Sequence, residues 1–412
     1  MRIIGANKNF DVIVNLVGSK SASNRALMIA YYGGFIPRIR NLSESDDTKL
    51  LNEILQSLNN PSVPNHLIAP TLPATINCHN SGTVFRFLLT ALSFKNGEYI
   101  LTGSDRMLHR PIGDLVDALR SIGANIEYMG QEGYPPLHVE TCHGASLHNT
   151  IDVDITKSSQ FASSVLLALP TLIGVETDDN PSPNVGTTRG DVSLHLKGDV
   201  SSLPYIDMTI DIMRKFGADI FRDGRDIFIK RSEYQDVECR VESDWTCASY
   251  WYEAVALSEN GRARLKNLHL YSKQGDAIVA KWFEKFGVKS IQDGDDVVIS
   301  HVETDENPSH FDFINNPDLY PTIAATCAGL GVKAQFTGLR NLIHKESDRV
   351  AAMTTELSKI MSVPIFDSHD DHRIAMALAP LALKIGAIEI NNADVVSKSY
   401  PNFWEEFIPI LK

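Results

Sequence analysis

The stretch VGSKSASNRALMIAYYGG, residues 17–34, crowds Ser19, Lys20, Ser21, Ser23, Asn24 and Arg25 into seven positions, then runs Ala26-Leu27-Met28-Ile29-Ala30 with nothing polar. A surface helix spreads its charges along one face, whereas a helix apolar nearly all round is buried on most sides. These residues therefore predict a buried helix whose first turn faces something that wants lysine and arginine. The design recurs in GTVFRFLLTAL (82–92), QFASSVLLALP (160–170), CASYWYEAVAL (247–257), PTIAATCAGL (321–330) and HRIAMALAPLAL (372–383). Amphipathic helices lie between them, such as DDTKLLNEILQSLNN (46–60) and YIDMTIDIMRKFGADIF (205–221). Gly123, Gly217 and Gly287 sit where a left-handed helix stop is wanted, and a strand-like run follows each. The alternating runs EYILTGS (98–104), DIFIKRS (226–232) and DVVISHV (296–302) supply strands, and MRIIGANKNFDVIVNL reads as strand, turn, strand.

Taking Ser23, Thr83, Gln160, Ala248, Pro321 and Arg373 as the starts of the buried helices, the spacings are 60, 77, 88, 73 and 52. Six units of one pattern, each with two helices and several short strands, account for the chain. Three units per domain is the economical division and places a break near 241. The third unit is lengthened by ETDDNPSPNVGTTRGDVSLHL (176–196), whose Asp, Asn, Pro and Gly content reads as a surface loop. The sixth is short, because few residues separate ELSKI (356–360) from DDHRIAM (370–376).

At 412 residues, with 43% hydrophobic and 22% charged residues, the chain reads as a soluble globular protein of two or three domains. Its 38 Lys+Arg against 51 Asp+Glu give a net charge of −13, which argues against a general partner for nucleic acid or membrane surface and makes any basic cluster a local exception. Cysteines 78, 142, 239, 247 and 327 form no CxxC pair and are odd in number, as expected of reduced thiols in the cytoplasm. No apolar run reaches the roughly 18 residues of a membrane span.

Polar groups recur where the buried helices begin: HNSGTVFR (79–86), TKSSQF (156–161), NNPDLYPT (315–322) and DDHR (370–373). A helix start carries unpaired N–H groups and a partial positive charge, so it attracts anions, and Ser, Lys and Arg in the same turn strengthen that preference. Each piece alone has a plainer reading. Ser and Asn before a helix serve as caps. KESDR (345–349) could be a solvated face with a Glu346–Arg349 pair, and Arg110 could be surface. HDDH (369–372) lacks a third ligand cluster of known type, so no metal is expected there. Cys78-His79-Asn80 reads as structural rather than as a thiol–imidazole pair. What weakens these readings together is that the pieces are numerous, ordered and in phase with the repeat.

In that order the motifs resemble the 5-enolpyruvylshikimate-3-phosphate (EPSP) synthase family. They are GSKSASNRAL, NLSESDDT, NSGTVFRF, LTGSDRMLHRPIGDLVDAL, EGYPPL, SSQF, PYIDMT, QGD, PDLYPT, KESDR, DHRIAMA and SKSYPNFW. The resemblance implies a mixed α/β (α+β) fold of two domains. Each domain is then an inside-out α/β barrel of three βαβαββ units whose buried helices aim their starts at an interdomain cleft. It places residues 18–241 in the first domain, and 1–17 with 242–412 in the second. It further implies a monomeric enzyme that joins phosphoenolpyruvate to shikimate 3-phosphate and loses inorganic phosphate, with no cofactor or metal.

Carried over by motif, Lys20 contacts both substrates, and Ser21 and Arg25 hold the shikimate phosphate. Ser158, Ser159, Gln160, Ser202 and Tyr205 line the same substrate, while Asn80, Gly82, Arg110, Arg349, Arg373 and Lys398 cradle phosphoenolpyruvate. Asp318, Glu346 and Lys345 sit at the chemistry, with Asn341 nearby. The 5-hydroxyl must lose a proton as it attacks the enol carbon, and the methylene must gain one. Asp318 is then the candidate base, Glu346 the candidate acid and Lys20 the partner of the leaving phosphate. Two unit charges about 4 Å apart cost about 4 kcal/mol at an effective dielectric near 20, so packing two polyanions together demands several cations. The chain departs from the family's pattern at Ser81, where Ala is usual, at Ser243, where Gly is usual, and at Ile155, Thr156, Leu203, Ile343 and His344.

Two other readings compete. The sister transferase acting on UDP-N-acetylglucosamine carries a reactive cysteine in the loop just before the arginine matching Arg110, and GSDRMLH (103–109) has none. A non-catalytic repeat protein would not need Lys20, Asp318, Glu346, Arg349, Arg373 and Lys398 together.

Overall fold

A computed structural model describes residues 1–5, 8–59, 68–69, 73–141, 150–173, 192–306, 308–362 and 365–412. The six apolar runs are the helices Lys20–Gly33, Gly82–Ser93, Gln160–Leu172, Trp245–Leu257, Tyr320–Leu330 and His372–Leu378, the last prolonged by Ala379–Leu381 and Ala382–Ile385. Every residue of Trp245–Leu257 is buried, and so is every residue of Gly82–Ser93 except Thr83. Fully burying a side chain such as Phe85, Phe87, Leu88 or Leu92 contributes roughly 1.5–3 kcal/mol, so such a helix is held by its sides and its first turn is left for other work. Gly123, Gly217 and Gly287 have φ of 101°, 91° and 74°, the left-handed stops that the sequence predicts.

The element order repeats. Strand Thr150–Asp154, helix Gln160–Leu172, strand Val192–Lys197, helix Leu203–Lys215 and the hairpin Ile220–Asp223/Asp226–Ile229 form one βαβαββ unit. In its sheet the hairpin's second strand pairs antiparallel with Val192–Lys197, which pairs parallel with Thr150–Asp154. A second unit copies this with Asn9–Val14, Trp245–Leu257, Asn260–Leu265, Val279–Glu284, Val288–Asp293 and Asp296–His301, joined by the same two antiparallel pairings and one parallel pairing. Its first strand comes from the far N-terminal end of the chain. Arg2–Ile4 likewise pairs antiparallel with Ala387–Asn391, beside Ile365–Asp367, in a three-stranded sheet. The described strands form six sheets.

The chain divides into two compact units. The terminal unit is Met1–Lys20, Asn41–Asp46 and Arg240–Lys412, and the central unit is Ser21–Arg40 and Asp47–Cys239. Lys20 therefore belongs to the terminal unit and Ser21 to the central one.

Within the predicted loop 176–196, residues 176–191 lie outside the described residues, as does Cys142. Val192–Leu196 is not loop but strand, because Val192, Leu194 and Leu196 alternate inward with Ser193 and His195 between them. No helix among the described residues is long and apolar enough to cross a membrane.

Candidate active site

In the terminal unit, three helix starts and one turn bring charges together. Pro317–Leu319, a 3-10 turn ahead of Tyr320–Leu330, presents Asp318. Arg349 opens the helix Arg349–Leu357, and Arg373 lies in the first turn of His372–Leu378. Arg349 is 1% exposed and touches three carboxylates. Its Nη1 donates to Asp318 Oδ1 at 2.7 Å, its Nη2 to Glu346 Oε2 at 2.9 Å, and its Nε to Asp371 Oδ2 at 2.7 Å. Asp318 also accepts from Arg373 Nη2 at 2.8 Å and lies 3.4 Å from Lys345 Nζ, while Lys398 Nζ is 3.1 Å from Glu346 Oε1. Asp318, Lys345, Glu346, Arg349, Arg373 and Lys398 thus form one network. Asn341 lies in the adjacent turn Arg340–His344. Lys20 is brought to the helix start at Trp245, its backbone N–H donating to Asp244 Oδ2 at 3.2 Å.

Electrostatics follow from this crowding. Burial opposes ionisation of Asp318, but Arg373, Lys345 and Arg349 outweigh it and hold the carboxyl well below its usual range. Burial pulls the Lys345 ammonium down, helped by Arg349 and Arg373 against Asp318 and Glu346. Arg349 resists its burial because Asp371, Glu346 and Asp318 raise it above an ordinary arginine.

Asp371 is a residue that sequence reasoning missed. It is wholly buried, caps the His372–Leu378 helix by accepting from Arg373 N at 3.0 Å, and anchors Arg349 from behind. Its signal was available: an Asp directly before a buried helix beginning His-Arg. The two histidines of HDDH part company, His369 bonding Glu356 at 2.8 Å while His372 is buried. Burial, Lys20 and Arg373 keep the His372 imidazole well below the ordinary histidine value.

The central unit gathers a second set. Arg25 is 1% exposed, and among the described residues its guanidinium donates to neutral groups: Thr209 Oγ1 at 2.6 Å, Ser163 Oγ at 3.1 Å, and the carbonyls of Ser21 at 2.9 Å and Tyr205 at 3.2 Å. Burial draws it down to about 10, so it remains a cation at neutral pH. Gln160 accepts from Arg86 Nη1 at 2.6 Å and donates to Thr83 Oγ1 at 3.0 Å, tying two helix starts together. Arg86 stood at a predicted helix start without a role, and this contact supplies one.

A Cβ at Gly82 would come within 2.8 Å of the guanidinium atoms of both Arg86 and Arg110, so glycine is what lets two cations lie against that helix start. Asn80 precedes it at the turn. Ser158 Oγ accepts from Gln160 N at 3.3 Å, whereas the Ser159 side chain makes no cap bond, so Ser159 is not the simple cap of the plainer reading. Ser202 holds φ 56°, ψ 32° with no capping bond, a left-handed conformation that costs a non-glycine residue energy and gathers at binding sites.

The departures at Ser81 and Ser243 have local reasons. Ser81 Oγ caps Gly82–Ser93 by accepting from Val84 N at 3.3 Å, and Ser243 Oγ donates to the Leu16 carbonyl at 3.2 Å. Cys78 is buried, and burial pushes its thiol above the ordinary range, while neighbouring His79 is exposed. The pair therefore does not face a common ligand.

A family model described as EPSP synthase (3-phosphoshikimate 1-carboxyvinyltransferase) matches residues 4–365 and 361–407. A Bacteroides fragilis protein named 3-phosphoshikimate 1-carboxyvinyltransferase is 33% identical over 426 residues, covering 98% of this chain and 96% of its own. One of the same name from Sulfurovum sp. is 36% identical over 432 residues, covering 95% of each chain. In fold, the chain is similar to the solved EPSP synthase of Acinetobacter baumannii, at TM-score 0.70 and 21% identity over 98% of this chain and 96% of that one. It is also similar to the enolpyruvyl transferase NikO of Streptomyces tendae, at TM-score 0.68 and 16% identity over 99% and 96%. The motif order, the repeated βαβαββ unit and these full-length matches together place the chain in the EPSP synthase family.

Proposed function

We propose that this protein transfers the enolpyruvyl group of phosphoenolpyruvate to the 5-hydroxyl of shikimate 3-phosphate and releases phosphate. The observation that carries the reading is the pair Asp318 and Glu346, joined by the single buried guanidinium of Arg349 and flanked by Lys345, Arg373 and Lys398. In the addition step Asp318 takes the hydroxyl proton as the oxygen attacks C2 of phosphoenolpyruvate, and Glu346 gives a proton to the methylene carbon. In the elimination step that carbon returns a proton, the C–O bond to phosphate breaks, and Lys20 neutralises the departing charge.

In the free protein Asp318 is a weak base because three cations surround it. Substrate phosphate and carboxylate draw those cations into new pairs and restore its basicity. Arg25, a buried cation among neutral acceptors, is suited to a phosphate dianion, with Ser21, Ser158, Ser159, Gln160, Ser202 and Tyr205 in supporting roles. Gly82, Asn80 and Arg110 suit the smaller anion.

The finer architecture belongs to the same reading: each unit is an inside-out barrel of three βαβαββ units, supported by the burial of all six helices. The enzyme acts as a cytoplasmic monomer without nucleic-acid or membrane partners, in keeping with its net charge of −13.

The sister reaction on UDP-N-acetylglucosamine is disfavoured because the segment before Arg110 has no cysteine. The test is phosphate release from phosphoenolpyruvate with shikimate 3-phosphate or with UDP-N-acetylglucosamine as acceptor. Release is expected with the first alone, and release with the second alone would replace this reading. Asp318→Asn and Glu346→Gln are each expected to cut turnover by at least about a hundredfold with the fold intact. Near-normal turnover in either variant removes that residue from the mechanism.

A further inference from the structure

Asp276, in the QGD segment, lies in the 3-10 turn Gly275–Ile278 of the terminal unit and is 3% exposed. Its Oδ2 accepts from Thr246 Oγ1 at 2.5 Å and its Oδ1 from Asn316 Nδ2 at 3.1 Å. Thr246 is in the first turn of Trp245–Leu257, the helix whose cap, Asp244, accepts from both Cys247 N and the backbone N–H of Lys20. Asn316 directly precedes the turn Pro317–Leu319 and accepts from Leu319 N at 3.1 Å. Gln274, two residues earlier, fastens the same helix start: it accepts from Trp245 N at 3.3 Å and donates to the Ser243 carbonyl at 2.8 Å. One buried carboxyl therefore bridges the helix start that holds Lys20 and the turn that holds Asp318.

We propose that Asp276 is a positioning residue for the reaction: it sets the Asp318 turn in register with the Lys20 helix start, and its negative charge offsets the cations that weaken Asp318 as a base. The proposal rests on the functional reading above. Among the described residues, the groups that face Asp276 include Asp318 from the 3-10 turn, Arg373 from the His372–Leu378 helix, and the uncharged Thr246 and Asn316. Burial first, then Asp318, pushes its carboxyl up to about 6, against the hydrogen bonds from Thr246 and Asn316 and the charge of Arg373. Above that pH Asp276 is an anion and Asp318 is more basic. Below it the charge is lost and Asp318 weakens, so turnover falls on the acid side.

Asp276→Asn keeps the shape, since Asn316 can turn its amide to face the new one, and removes only the charge. The variant is expected to lose about tenfold to a hundredfold in kcat with little change in KM, and to lose the acid limb near pH 6. A kcat and pH profile equal to the parent's overturns the proposal, as does a loss of the same factor at every pH. A measurement independent of turnover accompanies it. With 13C-labelled aspartate, the Asp318 carboxyl resonance is expected to move between about pH 5 and 7 in the parent and to stay still in Asp276→Asn. A resonance that is stationary in the parent, or moves equally in both, sinks the inference whatever the protein catalyses. An inactive parent with this coupled titration would instead sink the functional reading and leave the coupling standing.

Discussion

Two buried arginines, one in each unit, are equally hidden from water and have opposite surroundings. Arg349 touches Asp318, Glu346 and Asp371, while the described partners of Arg25 are hydroxyls, carbonyls and the Phe87 ring. The first is neutralised within its own unit, and its carboxylates raise it above an ordinary arginine. The second is kept charged against its burial, with no anion among its described partners. A buried charge that the protein itself neutralises organises a site; one left without an anion is held for a ligand. On the function proposed above, the difference separates the part of this protein that is assembled for chemistry from a part that waits for substrate.

The largest effect should come from Arg349→Met. Asp318 keeps Arg373 and Lys345, and Glu346 keeps Lys398, but wholly buried Asp371 loses the one cation paired with it among the described residues. Removing one member of a buried ion pair costs about 3–5 kcal/mol. At about 2–4 °C per kcal/mol for a unit of this size, the melting transition of that unit should fall by roughly 10 °C. A melting temperature within 2 °C of the parent's, taking about 2 °C as the least that 1 kcal/mol would produce, would mean the carboxylates are not held by Arg349 and would erase the contrast.

Arg25→Met tests the other half, and here stability and binding should move apart. Holding Arg25 charged, with burial lowering it from the ordinary arginine value to about 10, costs folding on the order of 3 kcal/mol, and Thr209 Oγ1 keeps an acceptor in the Tyr205 carbonyl at 2.7 Å. The variant should therefore melt no lower than the parent, while its affinity for shikimate 3-phosphate drops by about tenfold to a hundredfold, the scale of a lost charge-assisted contact of 1.5–3 kcal/mol. Calorimetric titration measures the binding. Unchanged affinity would return Arg25 to a structural role.

How much of this was legible in the sequence depends on how far each signal reaches along the chain. The buried helices were legible because an all-round apolar run needs no partner to be recognised, and Gly123, Gly217 and Gly287 mark locally the stops of the amphipathic helices between them. Lys345, Glu346 and Arg349 were legible as one short motif. The surroundings of Arg25 were not, because Ser163 and Thr209 lie 138 and 184 positions away and look like ordinary helix residues. Asp371 was hidden inside a run that invited a metal question, and Asp276 inside a motif with no evident chemistry. The strand Val192–Lys197 was masked by the Pro- and Gly-rich stretch before it, whose turn signals outweighed a six-residue alternation.

The smallest expected effect concerns a third buried charge. Glu253, in the middle of Trp245–Leu257, is fully buried, and neither carboxyl oxygen has a hydrogen-bond partner among the described residues. Unlike Arg25, which stays charged, Glu253 avoids the cost by keeping its proton: burial lifts its carboxyl well above the ordinary 4.5. Because the folded protein holds this proton more tightly than the unfolded chain, the neutral acid costs little below about pH 4.5, and stability falls as pH rises from there toward the raised folded value. Glu253→Gln removes the titration and keeps the shape. It should leave stability nearly unchanged near pH 5 and raise it by about 1–3 kcal/mol at pH 8, the range for one uncompensated buried polar group. Urea unfolding of both proteins across that interval reads the slope directly. If the two curves stay parallel from pH 5 to pH 8, Glu253 is ionised and paired, and the distinction between a buried charge kept for a ligand and one given up to the core does not hold.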